Sequence, residues 1–549
     1  MTLMMRLALG AGVFVLASSV ESATLYVSKT GSIGSYSNIQ AAINSAESGD
    51  TIEVEPGTYA AFNLRNKDLV FRSSSLTEMV VVDGQGLRQA LRCTMVSSET
   101  SFTMFRFYDG RDGGYKYGGG VGLFQASPRF INCEFQDNFA GTAGGAVAVE
   151  ESSPMFIECR FLDNIAAGSG GAAYVFSDSH PEFRDCEFDQ NEAIYKGGAL
   201  CVRQSTVTCH NGNYLDNSAT IAGAIYAFDE SEIRFHESTF SGNWSFWYGG
   251  TMMIEARTLA ELMSCHLEDG ESDDGGHIFV YGMSVFRAED CSFDDGRAFF
   301  TGGHISAWRQ STVSLENNTF SRGQSGYSGG SLFLHGGRYE GWSNEFSDSS
   351  ARRGAMIYGE INEIMIDGST FDNATSTGQP SWRDGRAMYF LDASLLCSNT
   401  VFRNMTTPSA HSMQSLILHR EGHASYDSCE FTDNLVANAS RASAMMRIIN
   451  GATVDVQSCL FQGNTGQSAT SVIRNVNSVL DIDASIFESN GKVSTGGSPG
   501  LFFRHAVVHT AGLKAKTDLA NSAFCGNTVR DTFGPWADLG GNTFAVTCP

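Results

Sequence analysis

Apolar and polar positions alternate along most of this chain with a single recurring period. Runs of roughly four to six residues rich in Val, Ile, Phe, Tyr and Met are separated by Gly, Asn, Asp and Ser, and the unit returns about every 26 residues. Between Cys133 and Gly250 the unit is strict. Its first half reads Cys133-Glu-Phe135-Gln-Asp-Asn138, Cys159-Arg-Phe161-Leu-Asp-Asn164 and Cys186-Glu-Phe188-Asp-Gln-Asn191, then Tyr214-Leu-Asp-Asn217 and Phe240-Ser-Gly-Asn243 without the aligned cysteine. Its second half is a small-residue pair before an apolar strand: Gly144-Gly145-Ala146-Val147, Gly170-Gly171-Ala172, Gly197-Gly198-Ala199-Leu200, Gly223-Ala224-Ile225 and Gly249-Gly250. Beyond Gly250 the unit loosens, yet its core position persists at Leu267, Phe293, Phe320, Phe346, Phe371, Phe402, Phe431, Phe461 and Phe487.

Helical repeats of this length need helices of about 12 residues, and a glycine pair inside each unit disfavours them. Strands bounded by turns fit a parallel β-helix, one unit per coil, with like residues stacked about 4.8 Å apart. Phe or Tyr then fills the core coil after coil. The Asn three residues on bonds to its equivalents above and below, and Gly supplies a corner of positive φ. The expected fold is all-β, a right-handed parallel β-helix of roughly 16–18 coils forming a rod of about 80 Å.

The ends read differently. Residues 24–132 hold an N-terminal cap and the first coils, 133–500 the repeats, and 501–549 the last coils and a C-terminal cap. Ser37-Asn-Ile-Gln40 has the form of a capping box, and Ile39, Ala42, Ile43 and Ala46 make one apolar face, which predicts a short helix over 38–47. Laid across the first coil, it shields an open strand edge.

The strand after each glycine pair carries the functional signal. Its second and fourth positions are aliphatic (Val147/Val149, Leu200/Val202, Ile278/Val280, Leu332/Leu334) and point inward. The third and fifth positions point outward and include Tyr174, Phe176, Tyr226, Phe228, Phe279, Tyr281, Trp308, Phe333 and His335, with Arg203, Glu255 and Arg309 among or beside them. Stacked, these form an aromatic stripe, the kind of surface that binds sugar rings, a partner protein or a second copy of the rod. Two alternatives stand: a long loop covers the stripe, or the strand parity is reversed.

Charge and the N-terminus narrow the setting. With 60 Asp+Glu against 36 Lys+Arg the net charge is −24, which disfavours unassisted binding to nucleic acid or an anionic membrane. Residues 1–23 read as a secretory signal, with Arg6 before the apolar run Leu7–Ala17 and small residues after it. Export makes disulfides expected among the 13 cysteines. Cys525 and Cys548 are the pair expected to pin a C-terminal cap, while the stacked Cys133, Cys159 and Cys186 suit either bridges or a buried ladder of thiols. Asn243, Asn317, Asn373, Asn404 and Asn438 lie in glycosylation sequons.

The tandem GGA-[Ile/Leu/Val] and Phe-x-x-Asn units over 133–250 resemble the repeats of the polymorphic outer membrane proteins. That resemblance implies a β-helical surface adhesin. Members of that family end in a transmembrane barrel; here no second apolar stretch of spanning length appears, so an exported chain free of the bilayer is expected. Many right-handed β-helices are polysaccharide lyases or hydrolases, for which Glu255, Arg309 and His335 are the candidate catalytic groups. Asp273-Asp274-Gly-Gly-His277 shares an acidic pair and a Gly-His step with polygalacturonases, but their Asn-Thr-Asp and Arg-Ile-Lys segments are absent. Asp294 and Asp295 are the carboxylate type that Ca²⁺ takes at a turn, and His277 stacks on His304 without a third ligand. The reading is a secreted or cell-surface recognition protein. A polysaccharide lyase or hydrolase and a structural coat or appendage rod are the alternatives.

Overall fold

The computed structural model describes residues 22–31, 34–112, 118–376, 386–407, 415–436, 444–466, 471–492, 506–527 and 530–547. Each coil carries up to four short strands, and each strand pairs in parallel with its counterpart one coil on. In one coil these are Met155–Ile157, Arg160–Leu162, Ile165–Ala166 and Ala173–Phe176, which define sheets 1 to 4. In the next coil Phe183, Phe188, Ala193 and Val202 stand directly over Phe156, Phe161, Ala166 and Val175. Continued through about 17 coils, this is a parallel β-helix.

The core is a set of columns. Phe135, Phe161, Phe188, Tyr214 and Phe240 stack with ring centroids 4.6–4.8 Å apart. A second column in sheet 1 (Phe102, Phe130, Phe156, Phe183) meets the first edge-on, as in Phe130–Phe135 at 5.4 Å and 70°. Stacked and T-shaped contacts together satisfy the ring quadrupoles while filling the interior.

At the corner between sheets 2 and 3 the asparagines bond in series. Asn138, Asn164 and Asn191 each donate from Nδ2 to the Oδ1 of the next, at 2.9–3.0 Å. Each amide also donates to a core-aromatic carbonyl, Asn191 to that of Phe161 at 2.9 Å. All of these groups are buried, so the side chain satisfies backbone that has left the ladder. The corner between sheets 1 and 2 takes a small polar residue instead. There Cys265 N–H donates to Cys291 Sγ, Cys291 N–H to Asn318 Oδ1, and Asn344 N–H to Ser369 Oγ. Cys, Asn and Ser interchange because each offers an acceptor at that point.

This resolves the cysteines. Cys133, Cys159 and Cys186 are buried free thiols whose Sγ groups donate to carbonyls. Each Sγ also donates to the carbonyl two residues before it, Ile131, Ile157 and Arg184, so the column is a ladder of thiols and not of bridges. Cys525 is buried and disulfide-bonded; Cys548 lies outside the described residues.

The two glycines of a pair serve different needs. The first, such as Gly197, has φ +66°, a region open to residues without a β-carbon. The second has ordinary φ, but a Cβ on Gly198 would overlap the Gly223 carbonyl oxygen of the next coil. At the N-terminal end the helix is Ile39–Ser45, buried through Ile39, Ala42 and Ile43. Its cap is Asn38, not Ser37: Asn38 Oδ1 accepts from Ala41 N–H at 2.8 Å. Gln40 instead accepts from Asn63 N–H at 2.9 Å, so the capping box is not formed.

Replacing Asn191 by Ala should lower stability by about 2 kcal/mol or more, since it strands the Phe161 carbonyl and the Asn164 amide in the interior. The exposed neighbour change Glu192→Ala should stay within about 0.5 kcal/mol. Urea unfolding of both variants measures the difference.

Candidate functional site

The outer face of sheet 4 carries two side-chain rows parallel to the rod. The inner row runs Tyr174, Cys201, Tyr226, Met253, Phe279, Ser306, Phe333, Tyr358, Tyr389. The outer row runs Phe176, Arg203, Phe228, Glu255, Tyr281, Trp308, His335, Glu360. Neither row joins the main core; both pack into two separate clusters outside it.

The expectation of a fully exposed stripe needs correction. Tyr226, Phe279, Phe333 and Phe176 are only 0%, 4%, 5% and 9% exposed. The corner leading out of sheet 3 rises beside the inner row, and its Ile221 and Tyr248 pack onto it, Tyr248 at 4.6 Å from Phe279. Lys196 on the same corner reaches over Tyr226, its Nζ 4.2 Å from the ring centroid and 2.6 Å from the hydroxyl. The Tyr226 hydroxyl donates to Glu255, whose carboxylate lies 3.8 Å from Lys196. Burial and that carboxylate push the Tyr226 hydroxyl's pKa up. Tyr174, Phe228, Tyr281, Trp308 and His335 remain half-buried and form the open ledge.

At the middle of the ledge Tyr281, Trp308 and His335 occupy consecutive coils. Trp308 Nε1 donates to Ser306 Oγ at 2.9 Å, and its ring lies 5.0 Å from that of His335. The guanidinium of Arg309 sits 5.2 Å from the Tyr281 ring, and His335 Nδ1 lies 3.7 Å from Glu360.

Of the three catalytic candidates, Arg309 and His335 stand in adjacent coils, Arg309 N–H donating to the His335 carbonyl at 3.1 Å, while Glu255 stands apart. Glu255 and His335 are three coils apart, about 14 Å, and the row carboxylates Glu255 and Glu360 four coils, about 19 Å. Paired carboxylates of glycoside hydrolases need roughly 5–9.5 Å.

Other sequence candidates are claimed by structure. Arg322 bonds both acidic-turn carboxylates, Asp294 and, at 2.9 Å, Asp295, which occupies the oxygens a Ca²⁺ ion would need. Among the described residues no group of three or more His, Cys, Asp or Glu is placed to hold a metal. Asn243 is buried in the asparagine ladder, its amide donating to the Tyr214 carbonyl at 2.8 Å, so that sequon is closed to glycosylation. Asn438 lies outside the described residues. Asp274 is held by Thr301, which donates to it from both N–H and Oγ1, and burial raises its pKa.

His277 and His304 are core residues, fully buried with rings 5.3 Å apart. Burial pushes His277 down to about 4 and His304 well below its ordinary value. Thr251 and Ser331 occupy the same place in the flanking coils.

A second group of exposed aromatic side chains lies away from the predicted stripe. Tyr195, Trp244, Phe246, Trp247, Phe299, Phe300 and Tyr327 line sheet 3 and its outgoing corner. Their signal was present in the sequence as aromatics placed just before the glycine pair, in Trp244-Ser-Phe-Trp-Tyr-Gly-Gly and Phe299-Phe-Thr-Gly-Gly.

Several solved structures are similar to this chain. Pectin methylesterase from carrot is 12% identical over 44% of this chain and 84% of its own, with TM-score 0.27. Pectate lyase Pel9A is 12% identical over 55% and 76%, with TM-score 0.32. The tailspike protein of E. coli bacteriophage HK620, in complex with pentasaccharide, is 11% identical over 92% and 74%, with TM-score 0.28. No curated protein matches the chain. Among the described residues no helix is long and apolar enough to cross a membrane.

The buried histidines set a pH dependence. Their folded pKa values lie below the unfolded value of about 6.5, so the unfolded chain binds more protons between about pH 6.5 and pH 4. Stability is therefore present near neutrality and falls as pH drops through that window, by about 3 kcal/mol for His277. The double change His277→Thr/His304→Ser should flatten the fall, read as urea midpoints at pH 7 and 4.5. Equal losses in both proteins would rule this out.

A family model described as right handed beta helix region matches residues 89–259 and 152–320, and with the stacking of the coils it makes this chain a right-handed parallel β-helix.

Proposed function

We propose that this chain is a secreted, adhesin-like recognition protein that binds a polysaccharide along the outer row of sheet 4 without cleaving it. The observation that carries the reading is the ledge of Tyr281, Trp308 and His335 on consecutive coils, half-exposed and flanked by Arg309. Ring faces offer contact to the C–H faces of sugars, and His335 and Arg309 offer groups that bond hydroxyls. A pyranose is about as long as one coil rise of about 4.8 Å, so a glycan laid parallel to the rod meets one row position per sugar. The apolar N-terminal run and the repeats that resemble the polymorphic outer membrane proteins support an extracellular, surface-associated setting. The wide spacing of the row carboxylates supports binding over hydrolysis.

One feature favours an enzyme instead. His335 lies 3.7 Å from the Glu360 carboxylate and adjacent to an aromatic platform, and a base with a nearby carboxylate is one component of a lyase site.

The test is binding and turnover on a panel of acidic and neutral polysaccharides by the chain lacking residues 1–23. Expected are binding without release of reducing or unsaturated ends, and at least tenfold weaker binding in Tyr281→Ala and Trp308→Ala. Turnover abolished by His335→Ala would replace the binding reading with a lyase. Absence of binding to every glycan would point to a protein partner.

A further inference from the structure

The exposed aromatics before the glycine pairs follow a rule of their own. Counting from the first residue of each sheet-3 strand to the small-residue pair, some coils have five residues and others four. Five-residue coils are the commoner kind (139–143, 165–169, Glu192–Lys196, Trp244–Tyr248, Arg297–Thr301 and 324–328), and from Glu192 to Thr301 they alternate with the short Ser218–Ile221 and Glu271–Asp274. The pairing register shifts where they meet, between Ala193 and Lys196 and between Ser272 and Asp274. The extra residue is therefore a bulge, which turns side chains away from the sheet.

Each long coil from Glu192 to Thr301 carries large apolar side chains into solvent. Tyr195 is 62% exposed, Trp247 45% and Phe300 40%, with Phe246 at 52% and Phe299 at 62% beside them. The intervening short coils place Thr220 and Asp273 there. The buried position beneath, Ala193, Ala219, Ser245, Ser272 and Ala298, is small throughout, so the core asks for no ring at the crest. From Tyr195 to Phe300 aromatic and polar crests alternate, and equivalent rings recur every second coil, about 10 Å apart; one coil further on Tyr327 stacks on Phe300 at 5.6 Å and ends the alternation.

We infer that this crest is a second carbohydrate surface, separate from the sheet-4 ledge, for an extended uncharged β-1,4-linked glycan. In such a chain successive sugars are turned over, so the same ring face returns once per disaccharide, a length close to two coil rises of about 10 Å. Rings at Tyr195, Trp247 and Phe300 meet equivalent sugar faces, and the polar crests between them meet hydroxyl-bearing edges. Glu271 and Arg297 stand in adjacent coils below the crest, a mixed pair that selects for no net charge, while the net charge of −24 disfavours a polyanion. A protein interface would call for a contiguous apolar core, and between Tyr195 and Phe300 the polar crests at Thr220 and Asp273 interrupt the aromatic ones.

The test measures depletion onto microcrystalline cellulose and titration with cellohexaose. It uses the chain lacking residues 1–23 in a Tyr281→Ala/Trp308→Ala background, so that sheet-4 binding does not contribute. Binding is expected in that background. Trp247→Ala or Phe300→Ala should each weaken it at least tenfold, whereas Leu76→Ala, an exposed change on an early coil, should not. Unchanged urea unfolding of the crest variants separates lost binding from lost folding. No binding to either probe, or binding indifferent to Trp247 and Phe300, overturns the proposal. A dimer in sedimentation that Trp247→Ala dissociates would also overturn it, in favour of a second copy of the chain as occupant.

Discussion

One constraint runs through this molecule: every residue sits about 4.8 Å from its own counterpart in the next coil. Only side chains that tolerate a copy of themselves, or a complement, above and below can occupy a column. Flat rings stack, amides donate to one another in series, and thiols lie side by side as small acceptors. Like charges directly opposite repel, and although Asp455, Asp481 and Asp518 stack in consecutive coils, other columns alternate in sign. Arg160 lies between Glu134 and Glu187, and Glu261 between Arg234 and Arg287. Such exposed pairs add little stability individually, but the alternation lets an acidic chain stack at close spacing.

The same constraint shapes what the surface can do. A glycoside hydrolase centre needs two carboxylates converging to roughly 5–9.5 Å. A column instead spreads chemically similar groups along a line, as with Glu255 and Glu360. Lines of similar groups suit a ligand that is itself a repeat. The sheet-4 ledge is such a line, and its charged members are tied to neighbours, Glu255 to Lys196 and Tyr226 and Glu360 to Tyr358 and His335.

Relief on the rod comes from small differences in coil length. The residues before the glycine pair rise as a ridge that shades the inner row of sheet 4, turning an outward-facing column into a second packed cluster. From Glu192 to Thr301, one extra residue in alternate coils lifts aromatics to the top of that ridge. A change of a single residue per coil thus decides which rings are buried and which meet solvent.

The columns were legible in the sequence because each demands one residue type at one interval: Phe for the core, Asn at the next corner, the glycine pair, the aliphatic alternation of sheet 4. Inward and outward positions followed from strand periodicity. What the linear order could not convey was proximity between coils. Arg322, 27 positions beyond Asp295, takes up the acidic turn, and Asn243 belongs to a buried ladder although its local sequence reads as an exposed sequon. His277 and His304 fill core space that Thr251 and Ser331 fill in adjoining coils. Exposure of the aromatics depended on the height of a neighbouring ridge, which is a property of coil packing. The sequence by itself determined the repeat, the core and the parity of the strands, because these rest on local periodicity. Only the tertiary structure decided which outward side chains are open to a ligand, because that depends on what each coil sets beside the next.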